Sequence, residues 1–95
     1  MPPLLGQFPG ELLDQSVDVG VYTSHLVFSM EMDGDRIEVE VEMDEVDDVR
    51  IENAEGFAVL TIVDPWGTTV VSLKMDRAQA RRAKALIERA RRTNG

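Results

Sequence analysis

The sequence predicts an α+β, mainly β, fold: an antiparallel strand-rich body closed by one C-terminal α-helix. Three observations carry this expectation. Apolar and polar residues alternate with period two over much of the chain, and two tight-turn signals, Asp33-Gly34-Asp35 and Asp64-Pro65-Trp66-Gly67, punctuate the alternation. Beyond Asp76 the spacing changes to that of an amphipathic helix.

Taken in order, Met1 to Gly10 reads as an irregular lead-in, because Pro2, Pro3, Gly6, Pro9 and Gly10 interrupt any periodicity. A single domain is expected from Glu11 onward, with the strand-rich body over 11–75 and the helix over 76–93. Apolar residues fall on odd positions at Leu13, Val17, Val19 and Val21 and on even ones at Leu26, Phe28, Met30 and Met32, so a turn or bulge is expected near Tyr22 to Ser24. After the Asp33-Gly34-Asp35 hairpin, Ile37, Val39, Val41 and Met43 alternate with Glu38, Glu40 and Glu42, the pattern of a strand with one face in the core and one in water. The run Asp44 to Asp48 breaks the alternation, and a short strand over Val49 to Asn53 leads to a turn at Glu55-Gly56. Phe57 to Val63 is apolar on both faces, as a central strand is. The Pro-Trp-Gly turn joins it to a last strand over Thr68 to Lys74. Asp76 is placed to cap the helix, with Gln79 as capping-box partner and Met75 stapled against Ala80. Ala83, Leu86, Ile87 and Ala90 form the apolar stripe.

Ninety-five residues bury about 65% of the surface of the unfolded chain, enough for one core. With no cysteine, neither disulfides nor thiolate metal sites are available, and the cytoplasm is the expected compartment. The N-terminal residues carry no signal-peptide or membrane-span pattern. The net charge of −8 disfavours direct nucleic-acid or membrane binding. That total is unevenly distributed: 16 acidic and 2 basic side chains precede Lys74, whereas 8 basic and 2 acidic lie from Lys74 onward.

Few residues suggest chemistry. His25 is the single histidine, and no Ser-His-Asp or Cys-His motif accompanies it, so a surface or half-buried strand histidine is the expectation. Asp44, Glu45, Asp47 and Asp48 could gather round a hard cation, but they fit a solvated turn equally well, and Asp33-Gly34-Asp35 has its glycine misplaced for a calcium loop. No phosphate-cradling or dinucleotide motif is present, and neither a metal nor another cofactor is expected. The strongest feature is the row Glu38, Glu40, Glu42. Carboxylates two residues apart on a strand face lie roughly 7 Å apart, and repel by about 0.6 kcal/mol in water and about 2.4 kcal/mol at an effective dielectric of 20. Such a row is either a solvated face that discourages aggregation or a surface met by cations: Arg36 or Arg50 across the sheet, a neighbour's arginine-rich helix, or a basic partner. Arg81 and Arg82 on the helix, and Trp66 at a turn tip, are the other candidate partner-binding residues; Trp66 either stands exposed or folds back near Phe57.

The order of elements is also familiar. A Tyr-Thr-Ser-His-Leu-Val-Phe strand, a charged hairpin, Val-Glu-Met-Asp-Glu-Val-Asp-Asp-Val-Arg-Ile, an apolar strand, a Pro-Trp-Gly turn, a strand and a terminal amphipathic helix together resemble bacterial PH-like domains, including the GRAM-related group. Met43, Val46 and Val49 stand at the three apolar places of the segment between strands that marks that group. The similarity spans roughly Glu11 to Arg92 and implies two packed antiparallel sheets, a barrel or sandwich, capped by the helix. Six strand segments are counted where the family has seven, and the acidic sheet lacks a basic pocket, so the resemblance implies no phosphoinositide binding. The leading expectation is a non-enzymatic protein-interaction module that binds a protein partner or itself as a homo-oligomer, through its acidic sheet and basic helix. The alternatives are an acidic decoy that occupies a nucleic-acid-binding or other basic protein, and a carboxylate-dependent hydrolase.

Overall fold

The computed structural model describes residues 4–94. Seven antiparallel strands form one sheet, followed by one α-helix: β1 (Leu4–Leu12), β2 (Gln15–Tyr22), β3 (His25–Met32), β4 (Asp35–Glu42), a 3₁₀ turn (Met43–Glu45), β5 (Asp48–Ala54), β6 (Phe57–Val63), β7 (Thr69–Met75) and α1 (Arg77–Asn94). The spatial order is β4-β3-β2-β1-β7-β6-β5, so two meanders, β1–β4 and β5–β7, meet where β1 lies beside β7.

The expected lead-in is overturned, because residues 4 to 10 belong to β1, the middle strand; Met1, Pro2 and Pro3 lie outside the described residues. This raises the strand count from six to seven. Its inward positions are Gly6, Phe8, Gly10 and Leu12, and only Phe8 among them is a bulky buried residue. The glycines that look like breakers are close-approach positions: a Cβ on Gly6 would stand 2.7 Å from Leu86 Cδ2, and one on Gly10 would stand 3.3 Å from the Lys74 carbonyl oxygen. Pro9 fits for a related reason. Leu12 and Gln15 flank a two-residue turn, which makes them a hydrogen-bonded pair and directs the main-chain groups of Glu11, Pro9 and Gln7 away from β2, toward β7. Pairing with β7 is confined to Glu11 opposite Lys74. Leu13 turns the chain on one side of that pair, and on the other Pro9 offers no donor while β7 gives way to the helix.

Leu13 is a second correction: it sits with Asp14 in the β1–β2 turn, 89% exposed, and does not begin β2. The switch of phase between β2 and β3 falls at Thr23-Ser24, Asp33 and Gly34 turn β3 into β4 with positive φ, and Gly56 does so between β5 and β6. In the β6–β7 turn the Gly67 N–H donates to the Asp64 carbonyl, and Asp64 Oδ1 accepts from the N–H groups of Trp66 and Thr68.

The helix begins as its cap requires: Asp76 Oδ2 accepts from the N–H of Ala78 at 3.0 Å and of Gln79 at 3.4 Å. No return bond from the Gln79 side chain accompanies them among the described residues. Arg77 donates to the carbonyls of Ala54 and Phe57, tying the first turn to the β5–β6 hairpin. Ala80, Ala83, Ile87 and Ala90 are buried against the sheet, while Leu86 is only partly covered. Alanines let the helix lie close, chiefly over β1, β2, β5, β6 and the 3₁₀ turn. The core is Val17, Val19, Val21, Leu26, Leu60, Ile62 and Leu73 under this helix, with Met43, Val46 and Val49 closing one end. β4 lies outside the helix's main footprint, at the sheet edge. In consequence, of the apolar residues expected to face the core from this strand, Val41 is buried but Ile37 is 40% and Val39 50% exposed.

Candidate functional site

The β3–β4 hairpin carries the features that the sequence marks for recognition. Two-residue turn geometry at Asp33-Gly34 makes Met32 and Asp35 a hydrogen-bonded pair, so the main-chain groups of Ile37, Val39 and Val41 bond to β3. Those of Arg36, Glu38, Glu40 and Glu42 point off the edge of the sheet. The same three glutamates form the acidic row, on the face of the sheet opposite the core.

Cations and donors meet the row only in part. Ser29 Oγ donates to Glu38 Oε2 at 3.3 Å, and the Arg36 guanidinium is 3.9 Å from the same oxygen. His25 Nε2 is 3.3 Å from Glu40 Oε1. Arg50, expected as a possible partner, sits instead on β5, the opposite edge, where its Nε donates to Asp48 at 2.9 Å and holds that carboxyl below its usual pKa. Arg81 and Arg82 are exposed on the helix and make no ion pair among the described residues. The fold therefore does not bring them to the glutamate row within one chain.

His25 is half-buried, stacked on Tyr22 with ring centroids 4.6 Å apart. Ser24 Oγ is 2.8 Å from its Nδ1, and Glu40 lies on its other nitrogen. This Ser24–His25–Glu40 chain is a relay in which imidazole can take a hydroxyl proton while a carboxylate steadies the ring. The sequence concealed it: Glu40 reaches His25 diagonally, since Glu42 is the residue directly opposite, and only the register of β3 with β4 creates the contact.

Ser24 also lines an open groove of about 660 Å³ at the end of the molecule. One part of its wall is acidic, from Glu42, Asp44 and Asp47, and the helix contributes Arg91 and Arg92 together with Glu88. Here the two charge poles of the sequence share one surface. Pro65 reaches the same groove, and Trp66 beside it is 82% exposed, which decides between its two expected placements. Among the described residues no three histidine or carboxylate groups converge as a metal site, and no helix is long and apolar enough to cross a membrane. Asp48 of the acidic turn is drawn to Arg50, away from such a cluster. No protein-family model, curated protein or solved structure matches the chain.

Proposed function

We propose that the chain is a non-enzymatic protein-interaction module on a PH-like scaffold, working in the cytoplasm, with the β3–β4 hairpin as its binding side. Seven strands in two meanders support the scaffold reading, as do Met43 and Val46, buried between β4 and β5, and Val49, buried at the start of β5. The single-pair junction of β1 and β7 is in keeping with two sheets, of four and three strands, sharing a seam. The observation that carries the functional reading is the state of β4: an edge strand with Ile37 and Val39 about half exposed, next to Met32 at 45%. Exposed apolar groups on an unpaired edge are a liability unless a partner covers them.

The test is a photo-crosslinking residue placed at Val39 and, as control, at Glu52 on the opposite edge strand, in the source cell. A discrete protein adduct from Val39 and none from Glu52 is expected. Identical products from both positions, or none from either, overturn the reading.

The Ser24–His25–Glu40 relay favours a second reading, a hydrolase that uses Ser24 as nucleophile. Parent and Ser24→Ala are expected to release nitrophenol from an activated ester at the same rate. A parent rate lost in both Ser24→Ala and His25→Ala would put the hydrolase first.

A further inference from the structure

We propose that β4 accepts an extended segment of a foreign protein as an eighth strand, one in which lysine or arginine alternates with apolar residues. This rests on the interaction-module reading and specifies its partner. Three properties of one strand converge. The main-chain N–H and C=O groups of Arg36, Glu38, Glu40 and Glu42 point outward along an edge eight residues long, with the spacing that an added strand needs. On the outer face the row of glutamates lies where alternate side chains of that strand would project. On the other face Ile37 and Val39 remain half exposed, because the helix lies mainly over β1, β2, β5 and β6. From Ile37 to Glu42 an incoming strand therefore meets aliphatic groups on one face and carboxylates on the other, in alternation.

The same geometry disfavours a second copy of this chain as the occupant. Antiparallel pairing of β4 with itself sets Glu40 against Glu40 and Glu38 against Glu42 when centred on Glu40. Centred on Val39, it sets each Glu38 against a Glu40, and the outer Arg36–Glu42 pairs alone are of opposite sign. In either register like charges lie directly opposite at the middle of the pairing. Basic residues at those positions reverse the sign of every contact. Arg36 compensates Glu38 only loosely, at 3.9 Å, and leaves the row net negative.

The experiment measures binding of fluorescent eight-residue peptides to the whole chain. Alternating Lys-Val is expected to bind at least tenfold more tightly than a block peptide of four lysines followed by four valines, and alternating Glu-Val is expected not to bind. Methylating the main-chain nitrogens on one edge of the Lys-Val peptide, and separately those on the other, should cost at least tenfold for one edge and little for the other. On the protein side, Glu40→Gln removes one charge and keeps the outward N–H, whereas Glu40→Pro removes both; the proline variant should bind at least tenfold more weakly than the glutamine variant. If Glu40→Pro does not fold, the methylated peptides carry the same question. Equal affinity for alternating and block peptides, or indifference to methylation on both edges, overturns strand addition. Adducts from Val39 in cells together with either of those results would leave the interaction module standing with another mode of contact. Absence of the adducts would remove the module itself.

Discussion

Leu13 and Asp14 occupy the tip of the β1–β2 hairpin with φ of 50° and 66°, a left-handed conformation that side chains with a Cβ adopt at a cost. The Asp33-Gly34 tip has the same handedness with a residue pair suited to it. Replacing Leu13→Asn together with Asp14→Gly should therefore stabilise the fold by about 1–2 kcal/mol, read as a higher midpoint in urea with an unchanged slope. Gly6 presents the opposite case. A methyl there meets the end of the Leu86 side chain, so Gly6→Ala should cost about 1–3 kcal/mol. Combining it with Leu86→Ala should destabilise by less than the sum of the two single changes, because the second removes the clash created by the first. Additive losses would show that Gly6 is required for some other reason. These residues also mark what single positions in the sequence conceal. Glycine and proline look alike as breakers in a turn and as close-approach or unpaired positions in a strand, and only the neighbouring elements distinguish the two.

At the scale of elements, period and turn chemistry locate β2 to β7 and α1 to within a residue or two, because each of those signals is local. What they do not encode is position in the sheet. The alternation over Ile37 to Met43 is the most regular in the chain, yet all of it but Met43, which opens the 3₁₀ turn, belongs to an edge strand outside the helix's main footprint, whereas the ill-marked β1 is central. The helix offers a similar lesson, since its stripe contains both Leu86 and Ile87 but only Ile87 is fully buried. Ile87→Asp should cost several kcal/mol by placing a charge among Leu60, Ile62 and their neighbours, within the range for buried unpaired ions. Leu86→Asp should cost distinctly less, because that side chain retains access to solvent. Thermal unfolding of the two variants checks the difference, and equal losses would contradict the burial pattern.

For the whole molecule, the uneven charge of the sequence was legible as a total but not as a geometry. The fold spreads the acidic side chains across the sheet and its two edges, and Glu42, Asp44 and Asp47 share one groove with Glu88, Arg91 and Arg92 of the helix. The relay at His25 and the half-exposed face of β4 depend on register and on the helix's footprint, which no local pattern carries. If the glutamate row keeps copies of the chain apart, replacing Glu38, Glu40 and Glu42 together by Gln should raise the mass measured by light scattering at high micromolar concentration, while the parent stays monomeric. A parent that associates at low salt and dissociates at high salt would indicate instead that acidic sheet and basic helix meet between copies.

The junction of β1 with β7, one residue pair wide, also bears on how the chain opens. Each meander is stitched internally by hairpins of close sequence neighbours, whereas the two are held together mainly by side chains that both send beneath a single helix. Release of that helix would then uncouple two units, each with its own protected amides, and hydrogen exchange would resolve them as separate cooperative blocks with different opening free energies. The helix is in this sense the clasp between two local structures.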